Sequence, residues 1–167
     1  MMKLNSIRKR IAGKKAQNIG KHFEFLFEAA CRKNSVTCIP IPDGCETKGF
    51  DPRINSNRLV RVKTPFDYIL KRKNNLAFVD TKTVAGNSFC YSDLSDHQTD
   101  ALFQLSESAA CGLVIWFREL DEVYFVSIDL IRALKPRESI RPSDHKKADD
   151  SFRYLGRSGD FDPSILF

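Results

Sequence analysis

The chain has 167 residues, 42% of them hydrophobic and 13 of them Phe, which suits one ordinary domain with a substantial core. Lys and Arg (27) exceed Asp and Glu (21), leaving +6 and a pI near 9.1, a balance that points toward an anionic partner. No apolar run approaches the roughly 20 residues of a membrane span. The N-terminus lacks the apolar segment of a secretory signal, and the five cysteines form no CxxC pair, which argues for reduced thiols in a cytoplasmic protein and against a zinc or iron–sulfur site.

Residues 1–15 are basic and poor in apolar side chains, which predicts a flexible arm. A helix is expected from about Ala16 to Lys33, where Ile19, Phe23, Phe27 and Ala30 recur at helical spacing. Glu24 and Glu28 share one face of it. Asn34-Ser35 ends the helix and Val36–Ile39 reads as a short strand. Residues 40–64 form a loop or short protruding stalk, too long for a simple connection. Strands are expected at Phe66–Leu70 and Leu76–Thr83, with Lys71–Asn75 as the polar turn between them. Ser95-x-x-Gln98 is a capping box that opens a second helix ending near Ser108. Leu113–Phe117 reads as a buried strand and Val123–Ser127 as another, and Ser127 caps a short helix stopped by Pro136. Beyond a segment at Phe152–Leu155, the remainder is weakly patterned. No internal repeat or second core is visible, so 16–167 is read as a single domain. The predicted class is α/β, a mixed central sheet with the first helix on one face and the second on the other.

Chemistry concentrates at Asp67, Asp80 and Lys82. Two short strands bring two carboxylates and one amine to one sheet edge. Neighbouring carboxylates repel and call for a cation. Mg2+ takes oxygen ligands, keeps several waters, and enters on one or two carboxylates plus substrate phosphate. A lysine beside such an ion can hold or deprotonate water, which completes the parts for phosphodiester hydrolysis. An exposed Asp-x-Lys ion pair is the bland alternative. The charge distribution favours the former. Residues 1–23 carry seven bases and no acid, and residues 53–73 carry seven more against Asp67 alone. The expected phosphate contacts are Arg8, Lys9, Arg10, Lys14, Lys15 and Lys21 in the first tract, and Arg53, Arg58, Arg61, Lys63, Lys71, Arg72 and Lys73 in the second.

The order helix with Glu, strand with Asp, strand with Asp-x-Lys, then helix resembles the PD-(D/E)xK nuclease core. More narrowly, the chain resembles the RecU-type Holliday-junction resolvases. The matching segments are Gly20–Glu24, Phe66-Asp67, Asp80-Thr81-Lys82, Asn87–Phe89, His97-Gln98 and Asp121–Phe125. Two departures stand out: Asp80 occupies a position where the family more often has Glu, and residues 45–64 are short beside the family's stalk. The resemblance implies a restriction-endonuclease-like αβββαβ core and Mg2+-dependent cleavage, with Mn2+ as a substitute ion. It implies that Asp67 and Asp80 ligate the metal, with the Thr81 main-chain carbonyl, and with Glu24 through a water. Lys82 would orient water or stabilise charge on the phosphorane. Gln98 would steady the water or the phosphate, or serve only as a cap. The implied partners are branched double-stranded DNA, recombination proteins and a second copy of the chain, since two opposed strands must be cut.

Two other readings are carried. One is a sequence-specific restriction- or homing-type endonuclease on the same core, with residues 40–64 reading bases. The other is a non-catalytic DNA-binding protein, which gives no reason for two acids within a basic surface.

Overall fold

One continuous helix, α1 (Met2–Lys33), spans 32 residues. In this computed structural model the described residues are 2–51, 56–62, 64–134, 138–147 and 149–167, and side chains are described outside 2–11, 45–62 and 145–149. The helix begins at Met2, not near Ala16, so the basic segment expected as an arm forms its first turns. Lys, Arg, Ala and Leu are strong helix formers, no Pro interrupts them, and Gly13 costs only about 1 kcal/mol. Arg32 and Lys33 in the last turn suit the negative end of the helix dipole. Asn34 Nδ2 donates to the Ala30 carbonyl at 2.9 Å, and Ser35 (φ 56°) turns the chain out of the helix.

The strands follow as β1 (Thr37–Pro40), β2 (Gly44–Asp51), β3 (Ser56–Val62), β4 (Tyr68–Arg72), β5 (Asn75–Val84) and β6 (Phe89–Cys90). Next come α2 (Asp96–Leu105), β7 (Ala110–Phe117), β8 (Glu122–Ser127), α3 (Ile128–Ala133), β9 (Ser139–Ile140), β10 (Phe152–Arg157) and β11 (Asp160–Phe161), with a final 3-10 turn at Pro163–Leu166. Seven strands make the central sheet in the order β1-β4-β5-β7-β8-β10-β11. The β5–β7 pair is parallel and the neighbouring pairs are antiparallel, so the sheet is mixed. Helix α2 sits in the β5–β7 crossover. The weakly patterned C-terminal segment supplies β10 and β11, because its apolar residues are few but placed two or three apart against β8. The long 40–64 segment forms an antiparallel ribbon, β2–β3, that pairs Gly44 with Val62 at its base.

Strand alternation builds two cores. Phe23, Phe27 and Cys31 of α1 pack on Tyr68, Leu70, Ala77, Val79, Val114 and Phe125. Leu102 of α2 and Ile128 and Ile131 of α3 pack on Leu113, Ile115, Phe117, Tyr124 and Val126. Burying Phe23 or Phe27 contributes about 2–3 kcal/mol each. Gly112 is required where β7 meets β8, since a Cβ there would lie 2.1 Å from the Val126 carbonyl oxygen. The first helix therefore covers one face of the sheet and the second covers the other. Asp80 enters the structure as a polar residue buried inside this hydrophobic sandwich.

Candidate active site

The β4–β5 ladder ends at Tyr68 opposite Val79. Past that point β5 continues without β4, and its free edge holds the candidate site. Asp67 stands just before β4. Its N–H donates to the Val79 carbonyl at 3.1 Å and its own carbonyl accepts from Ile41 N–H at 2.8 Å, so its backbone is held between β5 and the chain after β1. Its Oδ2 accepts from Thr81 N–H at 2.8 Å and from Thr81 Oγ1 at 2.6 Å. Its Oδ1 accepts no hydrogen bond among the described residues. Within a strand, one residue's N–H and C=O point to the same edge. The Thr81 carbonyl thus faces the side of Asp67, beyond the last residue paired with β4.

Asp80 and Lys82 point to the opposite face of β5 from Thr81, as strand alternation requires. Asp80 is 1% exposed. Gln98 Nε2, at the first turn of α2, donates to Asp80 Oδ1 at 3.0 Å. Lys82 Nζ lies 2.7 Å from Asp80 Oδ2, a close ion pair that balances the buried carboxylate. Burial, and secondly the Asp67 charge, push the Asp80 carboxyl up to about 6, against the opposing pull of Lys82 and Gln98. Gln98 is itself fixed from behind: Ser95 Oγ donates to Gln98 Oε1 at 3.2 Å and caps α2 through Gln98 N–H at 3.4 Å. Capping and site contact are thus one arrangement, not alternatives.

Beside Asp67 opens a cleft of about 490 Å³ lined by Glu24, Glu28, Asp43, Thr64, Asp67 and Tyr68, among others. Burial and then Asp67 raise the Glu24 carboxyl above its usual range, with Lys21 opposing. Glu28, its rival on the same helix face, is engaged otherwise. It accepts from Tyr68 Oη at 3.3 Å and lies 3.8 Å from Arg32. Asp43 accepts from Thr64 N–H at 3.1 Å and so clamps the foot of the β2–β3 ribbon at the rim of the cleft.

Among the described residues no three His, Cys, Asp or Glu side chains converge as a metal cage. The donor set present is Asp67, whose Oδ1 accepts no hydrogen bond among the described residues, the Asp80 carboxylate held by Gln98 and Lys82, one free-edge carbonyl, and Glu24 across a cleft. That set fits a hard cation that keeps several waters, and Mg2+ is such an ion. Cys31, Cys38, Cys90 and Cys111 are free thiols.

The basic residues divide. Lys14, Lys15 and Lys21 are exposed on α1, and Arg8, Lys9 and Arg10 precede them on the same helix. Arg58 and Arg61 lie on β3, while Arg53 and Lys63 fall outside the described residues. Lys71, Arg72 and Lys73 were expected around the carboxylates, but they occupy the other end of the β4–β5 hairpin, where Arg72 pairs with Asn75. Four strand residues, or roughly 13 Å, separate them from Asp67. Arg72 is committed to packing, since its Nη1 donates to the Ser164 carbonyl at 3.1 Å. Closeness in sequence misplaced them, because the strand carries charge away from the site as it advances. Sequence reasoning also passed over Trp116, Arg118, Asn18 and His22, which the fold gathers into a groove beside the site. No local motif marks Asn18, Trp116 or Arg118, for Trp116 reads as one more residue of a buried strand, and His22 within Gly20–Glu24 is given no role.

No protein-family model matches the chain, and no curated protein matches it significantly. The fold has a solved counterpart in Hjc, a Holliday junction resolvase from the archaeal hyperthermophile Archaeoglobus fulgidus. The two superpose with a TM-score of 0.52 over 74% of this chain and 89% of that one, at 13% sequence identity. The architecture is a restriction-endonuclease-like α/β fold. At that identity the likeness carries the fold and not the activity.

Proposed function

We propose that the chain is a metal-dependent, structure-selective DNA endonuclease that hydrolyses phosphodiesters in branched duplex DNA, four-way junctions foremost. The observation that carries this reading is the buried Asp80 carboxylate, held by Gln98 and Lys82 beside Asp67 at a free strand edge. A buried ion pair adds little net stability, and a carboxyl displaced by burial together with a specific neighbouring charge marks a functional-site candidate. The fold shared with a junction resolvase supports the same reading.

In this reading Asp67, Asp80 and the Thr81 carbonyl hold Mg2+, with Mn2+ as a substitute, and Glu24 steadies one of its waters. The chemistry the ion supplies when bound is polarisation of the phosphate and a lower pKa for water. Lys82 stabilises charge that develops on the phosphate oxygens. Gln98 holds the Asp80 carboxylate in place. The bases of α1 and of the β2–β3 ribbon contact phosphates without reading bases. Cutting two opposed strands calls for two sites related by a two-fold axis, hence a homodimer. Recombination proteins and a cytoplasmic setting complete the proposal.

The test is cleavage of a synthetic four-way junction beside a matched linear duplex and a single strand, with Mg2+, Mn2+ or EDTA. Paired symmetric nicks on the junction, absent in EDTA and in Asp80→Asn, are expected. The ribbon sustains one second reading, because a two-stranded β-ribbon can enter a major groove and read bases. Cutting of the plain duplex at one sequence would establish that reading instead. Binding without cleavage under every metal would leave a non-catalytic DNA-binding protein.

A further inference from the structure

We propose that a groove between α1 and the end of β7 holds one unpaired nucleotide next to the scissile phosphate, its base on Trp116 and its phosphate on Lys15 and Arg118. The inference rests on the nuclease reading of the neighbouring carboxylates and assigns that site its substrate feature. The groove has a volume of about 430 Å³ and is lined by Lys15, Asn18, Ile19, His22, Trp116 and Arg118.

Its character is mixed in a specific way. One wall is an indole and an aliphatic side chain. The rim carries two cations, and no carboxylate lines it. Apolar stacking surface beside positive charge is what a single nucleotide requires, since every base has a π-face and every link a negative charge. The Trp116 ring is fixed before any ligand arrives. Its Nε1 donates to Asp121 Oδ1 at 3.3 Å, and Phe23 packs on it at 5.6 Å between centroids. A platform already fixed in place loses little conformational freedom on binding. His22 flanks it at 6.3 Å. Arg118 is half-buried in the groove lining, with its main-chain N–H anchored on the Val84 carbonyl at 3.0 Å, and its guanidinium adds a second positive charge for a phosphate beside that of Lys15.

Position ties the groove to the cleavage site. Thr81 pairs with Val114 and Thr83 with Trp116 across the parallel β5–β7 ladder. Trp116 and Thr81 therefore share the α1 face, one strand and two residues apart, or roughly 8 Å by strand spacings. A strand whose phosphate lies at Asp67 and Asp80 can place its next nucleotide in the groove. A base within an intact stack has no free face to offer Trp116, so the occupant must be unpaired, as a nucleotide at a branch point is.

Trp116 is the only Trp in the chain, so its fluorescence reports this groove alone. The measurement is titration of the full-length protein with an oligothymidylate of about eight nucleotides in EDTA, where no cleavage occurs. The expected result is saturable quenching by the single strand, little quenching by a matched blunt duplex, and a Kd raised about tenfold in Arg118→Gln and in the exposed, fold-neutral Lys15→Gln. Absence of quenching, equal quenching by the duplex, or an unchanged Kd in Lys15→Gln would overturn the assignment. Junction cleavage in Mg2+ is scored separately. Quenching without cleavage would leave the groove and remove the nuclease, and cleavage without quenching would do the reverse.

Discussion

Gln98 Nε2 donates to Asp80 Oδ1 at 3.0 Å across 18 residues of sequence, joining the first turn of α2 to the middle of β5. The helix cap at Ser95 orients the Gln98 amide, and the amide orients the carboxylate. In the proposed nuclease, Gln98→Ala leaves Asp80 a loose ligand. Cleavage of a four-way junction is expected to fall about 10- to 100-fold at fixed Mg2+, with part of the loss recovered by more metal. Unchanged cleavage across a Mg2+ titration would reduce Gln98 to a cap.

Asp80 links pH to both stability and metal binding. Its carboxyl titrates near 6 in the fold against an ordinary 3.8. Between those values the folded state keeps the proton that the unfolded chain has lost. Stability therefore falls as pH rises through this window, by about 3 kcal/mol in total, and stays lower above it. Asp80→Asn removes the buried charge. It is expected to abolish cleavage and to raise the metal-free Tm at pH 8 relative to the parent, with no gain at pH 4. Mg2+ binds the charged form, so the Tm increase it causes in the parent should shrink as pH drops below 6. Thermal melts at pH 4, 6 and 8, with and without Mg2+, check all three statements. A Mg2+ effect independent of pH would count against Asp80 as a ligand.

Lys82 and Arg72 make a paired test, since both are basic and only one is near the carboxylates. Lys82→Ala is expected to lower cleavage by about 10²- to 10³-fold while junction binding in EDTA changes little. Arg72→Ala loses the bond to the Ser164 carbonyl and should lower the Tm with little change in cleavage by the folded protein. A strong cleavage defect in Arg72→Ala would return the hairpin turn to the DNA surface.

Glu24 and Glu28 separate in the same manner. Glu24→Gln is expected to raise the Mg2+ concentration for half-maximal cleavage about tenfold, as a carboxylate acting through water should. Glu28→Gln weakens the contacts with Tyr68 and Arg32 and should act on stability alone. Metal titrations of the two variants decide, and a larger metal effect in Glu28→Gln would exchange their roles.

Local pattern carried most of the fold. Phe23 and Phe27 at helical spacing, the apolar runs of β5, β7 and β8, and the Ser95 capping signal each concern residues a few positions apart. The same locality explains the failures. The basic start of α1 has helix-forming residues but little to bury, and charge was read in place of propensity. The segment expected at Phe152–Leu155 is most of β10, which pairs with β8, whereas the two-residue β11 is too short to show a period and gains its order from β10.

Asp80-x-Lys82 lies within one strand, and alternation by itself puts both side chains on one face with Thr81 on the other. That part of the site is determined by the sequence, because a strand repeats every two residues whatever surrounds it. The burial of Asp80, the reach of Gln98 to it, the removal of Arg72 to the far end and the gathering of Lys15, His22, Trp116 and Arg118 belong to tertiary structure alone. Each depends on how the ladders stop and how α1 and α2 lie across the sheet, and those are relations between segments that no local spacing encodes.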